Sequence, residues 1–167
     1  TIQGAVPASS WTIASDDLTK GTLADRSFIN QLSYAVSDPT VAIVGTNDGN
    51  RGAGFAVRSS DGAIVWSFFG TPGPGTPPFT DVNGVTTDAA ATWESDCALR
   101  SGGTPWIHPS LDPELGMVYY SFGNLRGCNS SQDGSLRAGD NLFGNSIVAI
   151  DAKTGAYKWD FQSIRHD

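Results

Sequence analysis

The stretch Ala149-Ile150-Asp151-Ala152-Lys153-Thr154-Gly155-Ala156-Tyr157-Lys158-Trp159 decides how this chain is read. Ile147, Val148 and Ile150 make a short apolar strand. Asp151 to Gly155 is a turn, with Gly155 free to take positive φ. Ala156, Tyr157 and Trp159 begin a return strand, so the stretch predicts a hairpin. An earlier copy runs Ala56-Val57-Arg58-Ser59-Ser60-Asp61-Gly62-Ala63-Ile64-Val65-Trp66. The copies share Ala at the first place, Gly at the seventh and Trp at the eleventh, and their tryptophans stand 93 positions apart. Two hairpins of one design indicate a repeat architecture.

Each hairpin is preceded by two more strands. In the first set, Ser33 to Val36 is a strand and Ser37-Asp38-Pro39-Thr40 a turn. Val41 to Gly45 is a continuous apolar run that suits a strand buried on both faces. A glycine-rich loop, Asn47 to Gly52, leads into the hairpin strands Gly54 to Arg58 and Ala63 to Phe68. In the second set, Thr104 to Ser110 is a strand, Leu111 to Gly116 a turn and Met117 to Phe122 a strand. A polar loop, Gly123 to Gly144, precedes the hairpin strands Asn145 to Ile150 and Ala156 to Phe161. Between the sets, Thr71-Pro72-Gly73-Pro74-Gly75-Thr76-Pro77-Pro78 sustains neither a helix nor an inner strand. A connection this long in a compact domain covers something or is disordered.

The expectation is one all-β domain over 1–167, with four-stranded antiparallel units at about 33–68 and about 104–161 and a peripheral segment at 1–32. Four antiparallel strands repeated radially are the blade of a β-propeller. Without its long loops, the repeat falls to a blade's length of about 40–50 residues. Two blades alone leave open sheet faces and edges. The remaining blades of a propeller, in the same or another chain, are therefore expected partners. A carbohydrate-binding β-sandwich is a weaker alternative, because it leaves the paired tryptophan hairpins unexplained.

Composition agrees with many turns and short strands: charged residues make up 16%, with Gly 20 and Pro 9 among 167 residues. The net charge of -7 argues against nucleic acid and against an anionic membrane surface. No apolar run approaches the length of a membrane span. The first residue is Thr1, which suggests a mature or cut form.

The second hairpin fits A-x-D-x-x-T-G-x-x-x-W at every fixed place, while the first has Arg58 and Asp61 at the Asp and Thr places. Gly102-Gly103-Thr104-Pro105-Trp106, Asp112-Pro113-Glu114-Leu115 and Tyr119 to Asn124 follow one another in order. Gly139-Asp140-Asn141-Leu142-Phe143, His166-Asp167 and Gly49-Asn50-Arg51-Gly52 add to the set. Over roughly residues 20 to 167, the chain resembles the pyrroloquinoline quinone (PQQ) dehydrogenases of the methanol and alcohol type. The resemblance implies about two blades of an eight-bladed propeller. It also implies an alcohol substrate, PQQ with a calcium or lanthanide ion, and a cytochrome or other electron acceptor.

The resemblance gives individual residues roles. Trp106 stands where a tryptophan lies flat beneath the quinone, and Thr104 where a threonine hydrogen-bonds the cofactor. The plain structural readings are a tryptophan packed between blades and a β-branched strand residue. Asn124 stands where an asparagine ligates the metal through its amide oxygen, a donor calcium accepts. Asn47 stands where the family has a glutamate ligand, so an anionic donor is replaced by a neutral one, with Asp48 beside it. Gln31 and Val44 replace small hydroxyl residues at the cofactor. The catalytic aspartate is expected three places beyond Asp167. Trp66 and Trp159 are expected to dock one blade on the next, and His108 and His166 match no zinc spacing.

Blade topology bears on the two cysteines. The connection into a blade's first strand and the one leaving its second emerge on the same face. Cys97 precedes the first strand of the second unit and Cys128 follows its second. A disulfide is one expectation and two separate thiols the other. A bridge implies an oxidising compartment, and the expected location is periplasmic or secreted. Asn129-Ser130-Ser131 is a glycosylation sequon if the source is a secreting eukaryote. Two functions stand: a quinoprotein alcohol dehydrogenase, and a non-catalytic PQQ-like propeller that binds or scaffolds, which Asn47 favours.

Overall fold

The computed structural model describes residues 32–35, 41–45, 52–58, 62–73, 75–93, 102–107, 109–126 and 134–166, with the backbone alone for 32–35 and 41–45. The strands of the first sheet are β1 (Leu32–Ala35), β2 (Val41–Gly45), β3 (Ala53–Arg58) and β4 (Ile64–Phe69). A small hairpin follows, β5 (Phe79–Thr80) with β6 (Thr86–Thr87). The second sheet holds β7 (Ser110–Asp112), β8 (Met117–Phe122), β9 (Ser146–Asp151) and β10 (Tyr157–Gln162). Both four-stranded sheets are antiparallel and pair in chain order, so each is an up-and-down meander.

The repeat holds at the level of single residues. Ala56 pairs with Trp66 and Val57 with Ile64, leaving Val65 as a bulge. Ala149 pairs with Trp159 and Ile150 with Tyr157, leaving Lys158 as a bulge. The turns match too. The Arg58 amide donates to Ala63 O at 2.8 Å and the Gly62 amide to Arg58 O at 2.8 Å. The Asp151 amide donates to Ala156 O at 2.8 Å and the Gly155 amide to Asp151 O at 2.9 Å. Gly62 at φ 74 and Gly155 at φ 75 take the left-handed conformation that closes each turn. Alanine opposite tryptophan gives the indole room across the strand pair.

The core lies between the sheets. The first sheet offers Ala56, Trp66 and Phe68, and the second offers Val118, Tyr120, Phe122, Val148 and Ile150. Gly54 lets the sheets close, since a Cβ there would stand 2.4 Å from the Tyr120 ring. Tyr120 is fully buried, and burial raises its hydroxyl pKa well above the ordinary tyrosine value. Each such side chain contributes roughly 1.5–3 kcal/mol by leaving water. Trp66 donates from Nε1 to Ala152 O in the turn of the second sheet, at 3.0 Å. Trp159 holds the same register on the second sheet and packs half-buried against Tyr119, with ring centroids 5.8 Å apart.

The connection after β4 covers the core. Phe79 of β5 sits 5.4 Å from Phe68 and 5.3 Å from both Phe143 and Tyr157, between ring centroids. The Val82 amide donates to Lys158 O on β10 at 2.9 Å.

Two expectations change. Among the described residues of Thr104 to Ser110, only Ser110 lies in a strand, where β7 begins and runs on into Leu111 and Asp112 of the expected turn. Gly102 and Gly103 take φ 69 and φ 59, and Pro105 and Pro109 offer no amide to a ladder. The loop from Gly123 to Gly144 is far from uniformly polar in role: Arg137, Asn141, Leu142 and Phe143 are buried. Arg137 Nη1 donates to Asn141 Oδ1 at 3.0 Å, and the Leu142 amide donates to Thr92 Oγ1 at 2.9 Å.

Candidate functional site

The chain approaches β7 through residues 102–106 and leaves β8 through residues 123–126, and these two segments pair. Gly102 and Leu125 form an antiparallel bridge. The Gly103 amide donates to Asn124 O and the Gly123 amide to Thr104 O, each at 3.1 Å. This pairing brings Thr104, Trp106 and Asn124 together. Leu125 is 1% exposed and packs on Trp93, anchoring the segment from below.

Glycines shape the place. A Cβ on Gly123 would stand 2.8 Å from Trp106 Nε1, so the indole lies close over that peptide. A Cβ on Gly102 would stand 2.7 Å from Asn124 O. The first sheet reaches the site through its backbone: the Gly52 amide donates to Gly102 O at 2.9 Å, and the Gly70 amide to Gly52 O at 3.0 Å. Gly52 is so close that a Cβ would fall 2.0 Å from Gly103 O.

Trp106 is 55% exposed, an open aromatic surface beside the half-buried Thr104 and the exposed Asn124. Gly123 gives the indole its room, since a Cβ there would crowd Trp106 Nε1, and leaves the exposed indole as a surface that a flat ring could stack on. Asn124 brings an amide oxygen, a donor that hard cations accept. Among the described residues, no three His, Cys, Asp or Glu side chains converge as a metal group. Asn47, Asp48, Cys97, Cys128, Asp167, Gln31 and His108 lie outside the described residues, as does the side chain of Val44. His166 is exposed, with Nδ1 2.9 Å from Gly139 O.

Two neighbours were not singled out in the sequence. Gly123 was legible as part of Phe122-Gly123-Asn124, but its closeness to Trp106 is a tertiary fact. Arg126 is exposed and lies over Gly102, its Cγ 3.4 Å from where a Cβ would stand.

A separate cavity of about 350 Å³ opens beside β10, lined by Thr87, Thr92, Asp140, Asp160, Gln162 and Arg165 among others. Tyr157 Oη donates to Asp160 Oδ1 at 2.6 Å. Burial raises the Asp160 pKa, the Asp81 charge adds to the rise, and the tyrosine hydroxyl opposes it. β10 and β7 are opposite edges of the sheet, about 14 Å apart at ordinary strand spacing, so this cavity is remote from Trp106.

The family model for the glucose/ethanol/alcohol dehydrogenase β-propeller domain, PQQ, matches residues 36–167. The chain belongs to this PQQ dehydrogenase family. Its two sheets are part of a β-propeller. It is 39% identical over 132 residues to the quinohemoprotein alcohol dehydrogenase ADH-IIG of Pseudomonas putida, covering 71% of this chain and 17% of that protein. It is 34% identical over 121 residues to lupanine 17-hydroxylase [cytochrome c] of a Pseudomonas species, covering 71% of this chain and 17% of that protein. Among solved structures, a europium-containing methanol dehydrogenase aligns with TM-score 0.65 and 26% identity, over 77% of this chain and 23% of that one. The chain thus spans about a fifth of the length of these relatives. Among the described residues, no helix is long and apolar enough to cross a membrane.

Proposed function

We propose that this chain forms part of a quinoprotein dehydrogenase that oxidises an alcohol with PQQ and a calcium or lanthanide ion. The observation that carries the reading is the open indole of Trp106, set over Gly123 beside Thr104 and Asn124. The indole offers the quinone a flat apolar floor and keeps water from that side. Thr104 offers a hydroxyl to a cofactor oxygen, and Asn124 an amide oxygen to the ion. Asn47 offers at most a second neutral oxygen, so the ion is held more weakly than by a glutamate. When bound, PQQ supplies a two-electron acceptor and the ion Lewis acidity. The base is an aspartate beyond Asp167. The domain covers 1–167, its blades about 33–68 and about 104–161, with further blades completing the ring. The location is periplasmic or secreted, Cys97 and Cys128 form a disulfide, and electrons leave to a cytochrome or another acceptor.

The test uses the full-length protein with PQQ and calcium. Quenching of tryptophan fluorescence reports uptake, and dye-linked alcohol oxidation reports turnover. Uptake with turnover supports the reading. Uptake without turnover points to a binding module. Absence of both uptake and turnover overturns the cofactor reading and leaves a scaffold, which the neutral Asn47 already favours.

A further inference from the structure

The described part of the candidate site is cationic, although the chain carries a net charge of -7. Asn124 and Arg126 are two residues apart in an extended segment, so they stand on one side of it, about 6.8 Å apart. Leu125 between them turns the other way, into the core. The Arg126 stem lies over Gly102, which has no Cβ to push it aside. Arg126 is exposed and makes no ion pair with a described carboxylate. The contrast with two other arginines is plain. Arg165 pairs with Asp140 at 3.5 Å, and Arg137 is buried against Asn141. Among the described residues, no ion pair and no buried packing accounts for Arg126.

We propose that Arg126 recognises a carboxylate of the ligand bound at Trp106 and Asn124. A guanidinium is suited to this, because its planar fork matches both carboxylate oxygens. The carboxylate belongs either to the quinone, which carries several, or to an alcohol substrate that is also an acid. The proposal rests on the reading of this place as a PQQ site.

The experiment compares the full-length protein with its Arg126→Ala, Arg126→Lys and Arg126→Glu variants. Fluorescence quenching gives the Kd for PQQ. Dye-linked assays give kcat/KM for a hydroxycarboxylate and for the neutral alcohol of the same chain length. If the quinone supplies the carboxylate, Arg126→Ala weakens PQQ binding about tenfold, Arg126→Lys recovers part of it, and Arg126→Glu weakens it further. If the substrate supplies it, the PQQ Kd stays put. The ratio of kcat/KM for the hydroxycarboxylate to that for the neutral alcohol then falls about tenfold in Arg126→Ala. An unchanged Kd together with an unchanged ratio overturns the role of Arg126 and leaves the PQQ reading intact. Failure of the unsubstituted protein to bind PQQ overturns both.

Discussion

Trp66 and Ala152 are joined by a buried hydrogen bond of 3.0 Å that runs from the last strand of one sheet to the hairpin turn of the other. The indole also lies against Gly155, where an added Cβ would stand 2.6 Å from Trp66 Cβ. One tryptophan therefore reads the turn made by the next copy of its own motif. Trp66→Phe should leave the Ala152 carbonyl unpaired and a gap beside Gly155. We expect a loss of about 1–3 kcal/mol, measured by urea unfolding. Trp159→Phe should cost less, because Trp159 is only half-buried. Equal losses would argue against docking as the source of the effect.

Gly52 is constrained by its neighbours more than by its own dihedrals. An added Cβ meets the Gly103 carbonyl and Thr104 Cα, which are backbone atoms held by the site pairing. We expect Gly52→Ala to cost about 3 kcal/mol or more. Gly84 is the control, with φ +80 and open space around it. Gly84→Ala should cost only about 1–2 kcal/mol from left-handed strain. Chemical denaturation of the two variants side by side separates contact from conformation.

The architecture was legible because the hairpin motif states its own geometry. Ala, Gly and Trp at fixed places gave the strand pair, the turn and the docking residue, and seven of the eight expected strands overlap a strand of the two four-stranded sheets along most of their length. The misread segment, Thr104 to Ser110, has strand-like composition but contains prolines and follows two left-handed glycines. The burial of Arg137 was not legible, since a polar residue in a polar loop carries no periodic signal. At the site, Trp106, Thr104 and Asn124 came from motif resemblance, and the structure adds the pairing that joins them. Arg126 was passed over because its meaning depends on what lies beneath it, Gly102, and on what does not pair with it.

Trp106 should separate folding from binding. It is 55% exposed, so Trp106→Phe should change stability by no more than about 0.5 kcal/mol. The same change should weaken PQQ binding, because the smaller ring covers less of a flat cofactor. Gly123→Ala should act in the same direction by displacing the indole, whose Nε1 stands 2.8 Å from the new Cβ. Thermal unfolding and PQQ titration on the same samples check both. Unchanged PQQ binding in the two variants would remove Trp106 from the cofactor site.

Two carboxylates should make stability respond to pH in opposite directions. Burial raises the Asp160 pKa, aided by Asp81 and opposed by the Tyr157 hydroxyl. Between the ordinary carboxylate value of about 3.9 and the raised value, the folded state holds more protons than the unfolded state. The contribution of Asp160 is thus favourable at low pH and is lost as pH rises through that window. Asp160→Asn still accepts the Tyr157 hydroxyl but carries no charge, so it should gain on the wild type as pH rises toward 7. Asp151 behaves the other way. Burial would raise its pKa, but the Thr154 amide and hydroxyl, the Lys158 ammonium and the Lys153 amide outweigh that and lower it. Its contribution is present above the ordinary carboxylate value and is lost as pH falls through the lowered one. Asp151→Asn should therefore trail the wild type near neutral pH and converge with it in acid. Urea midpoints for both variants and the wild type across this range decide the matter. Differences of the same sign at both positions would mean that neither carboxylate titrates as its surroundings dictate.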